Sequence, residues 1–179
     1  LGRVRNREGY NFLLFITKKR KGSLITMEER ITNILLVEDN PDHEELIVKE
    51  IKNNRIGNKV YVARDGQEAL DFLYHQGKYE NPKDSPTPEI ILLDLKLPKV
   101  EGTEVLKRIK SDSTLKVIPV VILTTSSRDE DIAKSYKNGT NSYITKPVKF
   151  EEFTKVIKDI NLYWMQTNKG IKQQKENRP

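Results

Sequence analysis

The sequence predicts an α/β fold, a doubly wound parallel sheet in which five strands alternate with five helices. Three observations carry this reading. The aliphatic runs Ile34-Leu35-Leu36-Val37 and Ile90-Ile91-Leu92-Leu93 show no polar alternation, as strands buried on both faces do. Three further short runs follow the same rhythm, with stretches of helical periodicity between them. Glycine, proline and asparagine cluster at the joints. A length of 179 residues suits one well-buried domain with some extra and falls short of two.

Residues 1–26 precede the pattern. They hold Arg3, Arg5, Arg7, Lys18, Lys19, Arg20 and Lys21 against the single acid Glu8. Of the chain's 32 basic and 26 acidic residues, 25 of each therefore remain for residues 27–179. The formal net charge of +6 describes this leader, and the neutral body argues against a nucleic-acid surface. The apolar run at 10–16 has its charge after it and no small-residue cleavage site, so it does not read as a secretory signal. Residues 1–26 are expected to be a basic N-terminal extension, disordered or non-native, with Met27 as a natural start. A weak membrane-surface or partner anchor is the functional alternative. The folded domain is expected over 27–167, and a polar, frayed tail over 168–179.

The first strand run ends in Glu38-Asp39-Asn40-Pro41. Asn40 can cap a helix that begins at Pro41, with Asp42, Glu44 and Glu45 favourable in its first turn. Leu46, Ile47 and Ile51 continue that helix to Asn53-Asn54, and Gly57 lies in the turn beyond. Val60-Tyr61-Val62-Ala63 is the second strand. Asp65-Gly66 leads into a helix with Ala69, Leu70 and Leu73 on one stripe. A polar loop with three prolines, 77–88, delivers the chain to the third strand, which ends on Asp94 with Pro98 beyond it. A helix over about 103–110 turns Val105, Leu106 and Ile109 inward. The fourth strand is Pro119-Val120-Val121-Ile122-Leu123-Thr124. Ser127 and Glu130 predict a capping box for the fourth helix, which Asn138-Gly139 ends. Ser142-Tyr143-Ile144-Thr145 is the fifth strand. The last helix starts near Phe150, with Phe153, Ile157, Ile160 and Trp164 at helical spacing.

Composition excludes several chemistries. The chain has no cysteine, so disulfides, thiolate metal sites and thiol catalysis are ruled out. His43 and His75 stand apart in polar surroundings, without the further nitrogen or sulfur ligands that zinc requires. No apolar run approaches a membrane span. Neither a G-x-G-x-x-G nor a Walker loop is present, which disfavours a nucleotide-binding module.

Four strand ends carry chemistry at one edge of the predicted sheet: Glu38 and Asp39, Asp94, Thr124, and Lys146 before Pro147. Carboxylates gathered this closely repel unless a cation neutralises them. Oxygen ligands with few protein carboxylates and an open site suit Mg²⁺, which keeps waters and accepts phosphate oxygens. A lysine and a threonine hydroxyl facing them surround the place where phosphoryl oxygens would lie. Asp94, at the end of the central strand, is then a nucleophile able to form an aspartyl-phosphate.

The blocks Leu36-Val37-Glu38-Asp39-Asn40-Pro41, Leu92-Leu93-Asp94-Leu95-Lys96-Leu97-Pro98, Leu123-Thr124-Thr125-Ser126 and Tyr143-Ile144-Thr145-Lys146-Pro147 resemble the signature of response-regulator receiver (CheY-like) domains. The resemblance spans about 33–165. It is greatest to the small stand-alone regulators of cyanobacterial phytochromes, through the Glu-Asp-Asn-Pro block, the long loop before strand three and the last helix running past Tyr163-Trp164.

It implies a flavodoxin-like (βα)5 sheet of order 2-1-3-4-5. It also implies a phosphoprotein of two-component phosphorelay signal transduction, in which Asp94 accepts the phosphoryl group from a sensor histidine kinase, a phytochrome-like kinase being one candidate, or from a phosphotransfer protein. Glu38, Asp39 and Asp94 would hold Mg²⁺ with the backbone carbonyl of Lys96, and Lys146 would bond the phosphoryl oxygens. Thr124 and Tyr143 would be the switch pair, and the Lys146-Pro147 bond a cis-proline peptide. Lys96 departs from the Asn or Met common in relatives and is expected to alter the lifetime of the phosphoryl group.

The resemblance implies a cytoplasmic protein that catalyses only its own phosphorylation and dephosphorylation. The tail after Trp164 is too short for a helix-turn-helix, so output is expected through protein contacts, without direct nucleic-acid or membrane binding. Tyr163 and Trp164 suggest a homodimer through the last helix, unless Trp164 merely closes the core. The alternative reading is a Mg-dependent phosphatase-type hydrolase with an Asp nucleophile. Haloacid-dehalogenase-type enzymes carry a second Asp two residues after the nucleophile, where this chain has Lys96.

Overall fold

The computed structural model describes residues 4–5, 11–12, 32–53 and 58–167. The expectations for Met27, for the turn at Gly57, for the tail 168–179 and for most of the leader lie outside the described residues. Within the leader, Val4–Arg5 and Asn11–Phe12 form a two-residue antiparallel pair.

Five parallel strands make the central sheet: β1 Asn33–Val37, β2 Lys59–Ala63, β3 Ile90–Leu93, β4 Val120–Thr124 and β5 Ser142–Thr145. Their spatial order is β2-β1-β3-β4-β5, as the resemblance implied. The helices between them are α1 Pro41–Asn53, α2 Gly66–Leu73, α3 Gly102–Ser111, α4 Asp129–Lys137 and α5 Phe150–Ile160. The last helix continues as a wider, π-type turn over Asn161–Thr167.

Period-two geometry sorts the aliphatic runs into two cores. Leu35, Val37, Ile91, Leu93, Val120 and Ile122 face α2 and α3, whose Leu70, Phe72, Leu106 and Ile109 complete one cluster. Ile34, Leu36, Ile90, Leu92, Val121 and Leu123 face α1 and α5, where Ile47, Ile51, Phe153 and Ile157 complete the other. Both faces of the three inner strands are buried, so the runs could not alternate in polarity. Helix α4 is the least embedded, with Ser135 its one buried residue.

Helix starts follow local chemistry. The Asn40 side chain accepts from the N–H groups of Asp42 and His43, as the sequence predicts. Asp65 caps α2 by accepting from the Glu68 N–H at 2.8 Å. The capping box expected at Ser127 and Glu130 does not form. Arg128 occupies the cap of α4 without a side-chain cap bond, and the hydroxyl that turns towards this helix is that of Ser126, which donates to Asp131 Oδ2. The helix begins one residue later than the box requires, which leaves Ser127 outside the cap position.

Candidate functional site

The sheet ladder continues one residue beyond three strands and thereby fixes three side chains at a common edge. The Glu38 N–H donates to the Ala63 carbonyl at 3.0 Å and the Asp94 N–H to Val37 at 3.0 Å. The Lys146 N–H donates to Thr124 at 2.7 Å. Backbone hydrogen bonding, continuous with the core, therefore sets where these side chains emerge. This is the carboxyl edge, where open α/β sheets form their crevices.

Lys146 Nζ stands between the two acids, 2.5 Å from Glu38 Oε2 and 2.6 Å from Asp94 Oδ2. The Lys146 and Glu38 side chains are only 1% exposed and that of Asp94 7%. The other Asp94 oxygen accepts from the Lys96 N–H at 3.1 Å, so both carboxylate oxygens are oriented. Asp39 is exposed. One ligand oxygen from each of Glu38, Asp39 and Asp94 lies within 4.8 Å of the others. Burial pushes the Glu38 carboxyl above its ordinary range, against the pull of Lys146, and the neighbouring Asp94 charge pushes the same way.

Three carboxyl groups face one ammonium, so the site gathers more acidic groups than its lysine can balance. That imbalance, with an all-oxygen donor set and one carboxylate open to solvent, fits a hard divalent cation. The buried ammonium already occupies a point where the protein needs positive charge.

Thr124 is fully buried at the end of β4. Its Oγ1 accepts from the Ser126 N–H at 3.4 Å, while the Tyr143 hydroxyl donates to the Ser126 carbonyl at 2.9 Å. The two residues that the resemblance pairs are joined through Ser126. Burial raises the Tyr143 phenol, which keeps it a neutral donor.

The approach loop is held by close packing. A Cβ on Gly102 would lie 2.0 Å from the Asp94 carbonyl oxygen, and the Gly102 N–H donates to the Leu95 carbonyl at 2.9 Å. Lys99 takes a left-handed backbone (φ 63°), and its ammonium reaches Asp65 at the start of α2.

Two expectations are corrected. None of the described peptide bonds is cis, so Lys146–Pro147 is trans. Trans is the lower-energy isomer, and the direction of Lys146 is held by Glu38 and Asp94. His43 does not stand apart: its Nδ1 lies 3.2 Å from Glu38 Oε1 and 3.3 Å from Lys146 Nζ, and its ring packs edge-on against Phe153. The available signal was position, since a residue in the first turn of a helix that starts at the site edge faces the site. His75 is remote from it, with Nδ1 2.7 Å from the Ser85 hydroxyl.

The family model described as response regulator receiver domain matches residues 34–158. The chain is 43% identical over 134 residues to the response regulator Rcp1 of Synechocystis sp., covering 75% of this chain and 89% of that protein. It is 42% identical over 138 residues to the probable methanogenesis regulatory protein FilR2 of Methanothrix harundinacea, covering 76% and 86%. Among solved structures, the Mn(2+)-bound form of Rcp1 superposes with a TM-score of 0.75 at 41% identity, over 78% of this chain and 99% of that one. The phosphorylated cyanobacterial phytochrome response regulator RcpA gives 0.75 at 42% identity, over 79% and 99%.

Proposed function

The chain belongs to the response regulator receiver family, and from that premise we propose that Asp94 is its phosphoacceptor, served by Lys146 and a divalent cation. The protein is a two-component response regulator, and the hydrolase reading falls with that membership. The observation that supports the residue assignment is the Lys146 ammonium bridging Asp94 and Glu38 at the end of the central strand.

In the proposed reaction an Asp94 carboxylate oxygen attacks the phosphorus of a phosphohistidine on a sensor kinase. As the P–O bond forms the P–N bond breaks, and the leaving imidazole keeps the electron pair and takes up a proton. The Lys96 N–H orients the nucleophile, and Lys146 offers its protons to the phosphoryl oxygens. Glu38, Asp39 and Asp94 would hold Mg²⁺ with the Lys96 carbonyl, and the ion would neutralise the charge gathered there. The manganese-bound form of Rcp1 supports a divalent ion in that relative.

Once phosphorylated, Thr124 and Tyr143 would change partners around Ser126 and reshape the face beside β5. Tyr163 and Leu162 are exposed on the last helix and are proposed as a homodimer contact, while Trp164 packs partly buried against the α1–α5 core. A phytochrome-type kinase as phosphodonor and a cytoplasmic location belong to the same proposal. No helix among the described residues is long and apolar enough to cross a membrane.

Mass spectrometry after treatment with a small phosphodonor and Mg²⁺ tests the assignment. One phosphoryl group is expected on Asp94 and none on the Asp94→Asn variant; modification of another residue would overturn it. Sedimentation of the same samples tests dimerisation, which unchanged mass in both states would exclude.

A further inference from the structure

At the opposite, amino-terminal edge of the sheet a second cleft opens between the ends of α3 and α4. It encloses about 650 Å³ and is lined by Lys107, Lys110, Lys116 and Lys137 with Asn138 and Asn141 among others, and by no carboxylate or aromatic side chain. We propose that this cleft is a docking groove for an acidic segment of a partner protein.

No acidic side chain lines the cleft, and Lys107 feels Glu104 only through space. Some lysines elsewhere find acids, as Lys78 does with Glu68, Lys99 with Asp65, Lys149 with Glu152 and Lys158 with Glu50, but four lysines share this one cleft. Among the described residues none of the four cleft lysines forms an ion pair. Asp112, beside α3, accepts through Oδ1 from the N–H groups of Thr114 and Leu115, neutral donors that leave its own charge in place. Lys110 is half-buried and donates only to neutral acceptors: the carbonyls of Lys116 and Ile118 and Asn141 Oδ1. With no carboxylate to oppose it, burial lowers its affinity for the proton. An anion in the cleft would relieve that penalty.

The bland explanation is that lysines compensate helix C-termini. Each terminus carries roughly half a negative charge, so the two together offset about one of four ammoniums. With the neighbouring Asp112 carboxylate counted as well, about two positive charges remain, on a domain body that is neutral overall. The lining also selects the ligand. Without an aromatic surface nothing stacks on a nucleobase, and without arginine no planar fork grips a single phosphate. Flexible point charges on both walls of an open cleft match carboxylates spaced along an extended chain. Because the groove lies at the other edge from Asp94, it can be occupied in either phosphorylation state.

Titration of the isotopically labelled full chain with a hexaglutamate peptide, followed by NMR, tests this. Shifts are expected at the cleft lysines and Asn141, weakening with added salt. Affinity should drop about tenfold in the Lys116→Gln/Lys137→Gln double variant, which retains phosphorylation of Asp94. Inorganic tripolyphosphate serves as the second probe. No shifts with the peptide, shifts that map elsewhere, or saturation by tripolyphosphate alone would each overturn the proposal.

Discussion

Lys146 Nζ lies 2.6 Å from Asp94 Oδ2, joining two residues 52 positions apart where both side chains are almost wholly buried. A buried pair of this kind contributes little net stability, but removing one partner strands the other. Lys146→Met should therefore cost about 3–5 kcal/mol, since it leaves Glu38 and Asp94 facing each other without a cation. Urea unfolding in chelator measures the loss, and repetition with Mg²⁺ should recover part of it. A variant as stable as the parent in chelator would show that the carboxylates are not held apart by the lysine.

Gly102 is tested through its close approach to the acceptor strand. A methyl group there would meet the Asp94 carbonyl oxygen at 2.0 Å and Leu95 Cα at 2.7 Å, both of them backbone atoms that cannot swing aside. Gly102→Ala should cost about 1–3 kcal/mol and slow phosphorylation of Asp94. Gly77 is the control: it has φ +57° and open space around its Cβ position. Gly77→Ala should cost about 1–2 kcal/mol through backbone strain alone and leave the phosphorylation rate unchanged. Thermal melts and a phosphorylation time course separate the two.

The strands were readable because a sheet covered on both faces demands unbroken aliphatic runs, and Ile34 to Val37 and Ile90 to Leu93 satisfy that without ambiguity. Two of their ends were readable for the same reason, since Glu38 and Asp94 are polar residues abutting those runs, whereas Lys146 follows the mixed, partly exposed strand Ser142–Thr145. What escaped the sequence depends on packing across elements. His43 reaches Glu38 because α1 starts directly at the sheet edge, which its place in the first turn signals and its polar sequence neighbours do not. Ser126 links Thr124 to Tyr143 through its backbone groups, which no side-chain pattern advertises. The capping prediction at Ser127 failed because helix onset shifted by one residue, a precision that periodicity does not supply.

Ser135 is the one buried residue of α4, and its hydroxyl has no hydrogen-bond partner among the described residues. An unpaired buried hydroxyl costs about 1–3 kcal/mol relative to a paired one. Ser135→Ala removes the polar atom with little change in volume and should stabilise the domain by about 1 kcal/mol. A rise in the urea midpoint at constant slope checks this, and a fall would mean that the hydroxyl is satisfied in solution.

Asp65 carries the pH dependence most open to test. Burial raises its carboxyl, but the Lys99 ammonium and the N–H groups of Glu68 and Gln67 outweigh that, and the net value lies below the ordinary 3.8. A depressed folded-state value means that the unfolded chain binds more protons in this range. The stabilisation is then fully present above pH 3.8 and is lost as pH falls through the lower folded value. Asp65→Asn keeps a good helix cap and removes the charge, so the variant should be less stable than the parent at neutral pH. The gap should close as the solution is acidified below pH 3.8. Parallel unfolding curves from pH 7 down to about 3 decide the point: a gap that persists unchanged would assign the role of Asp65 to its cap geometry rather than to Lys99.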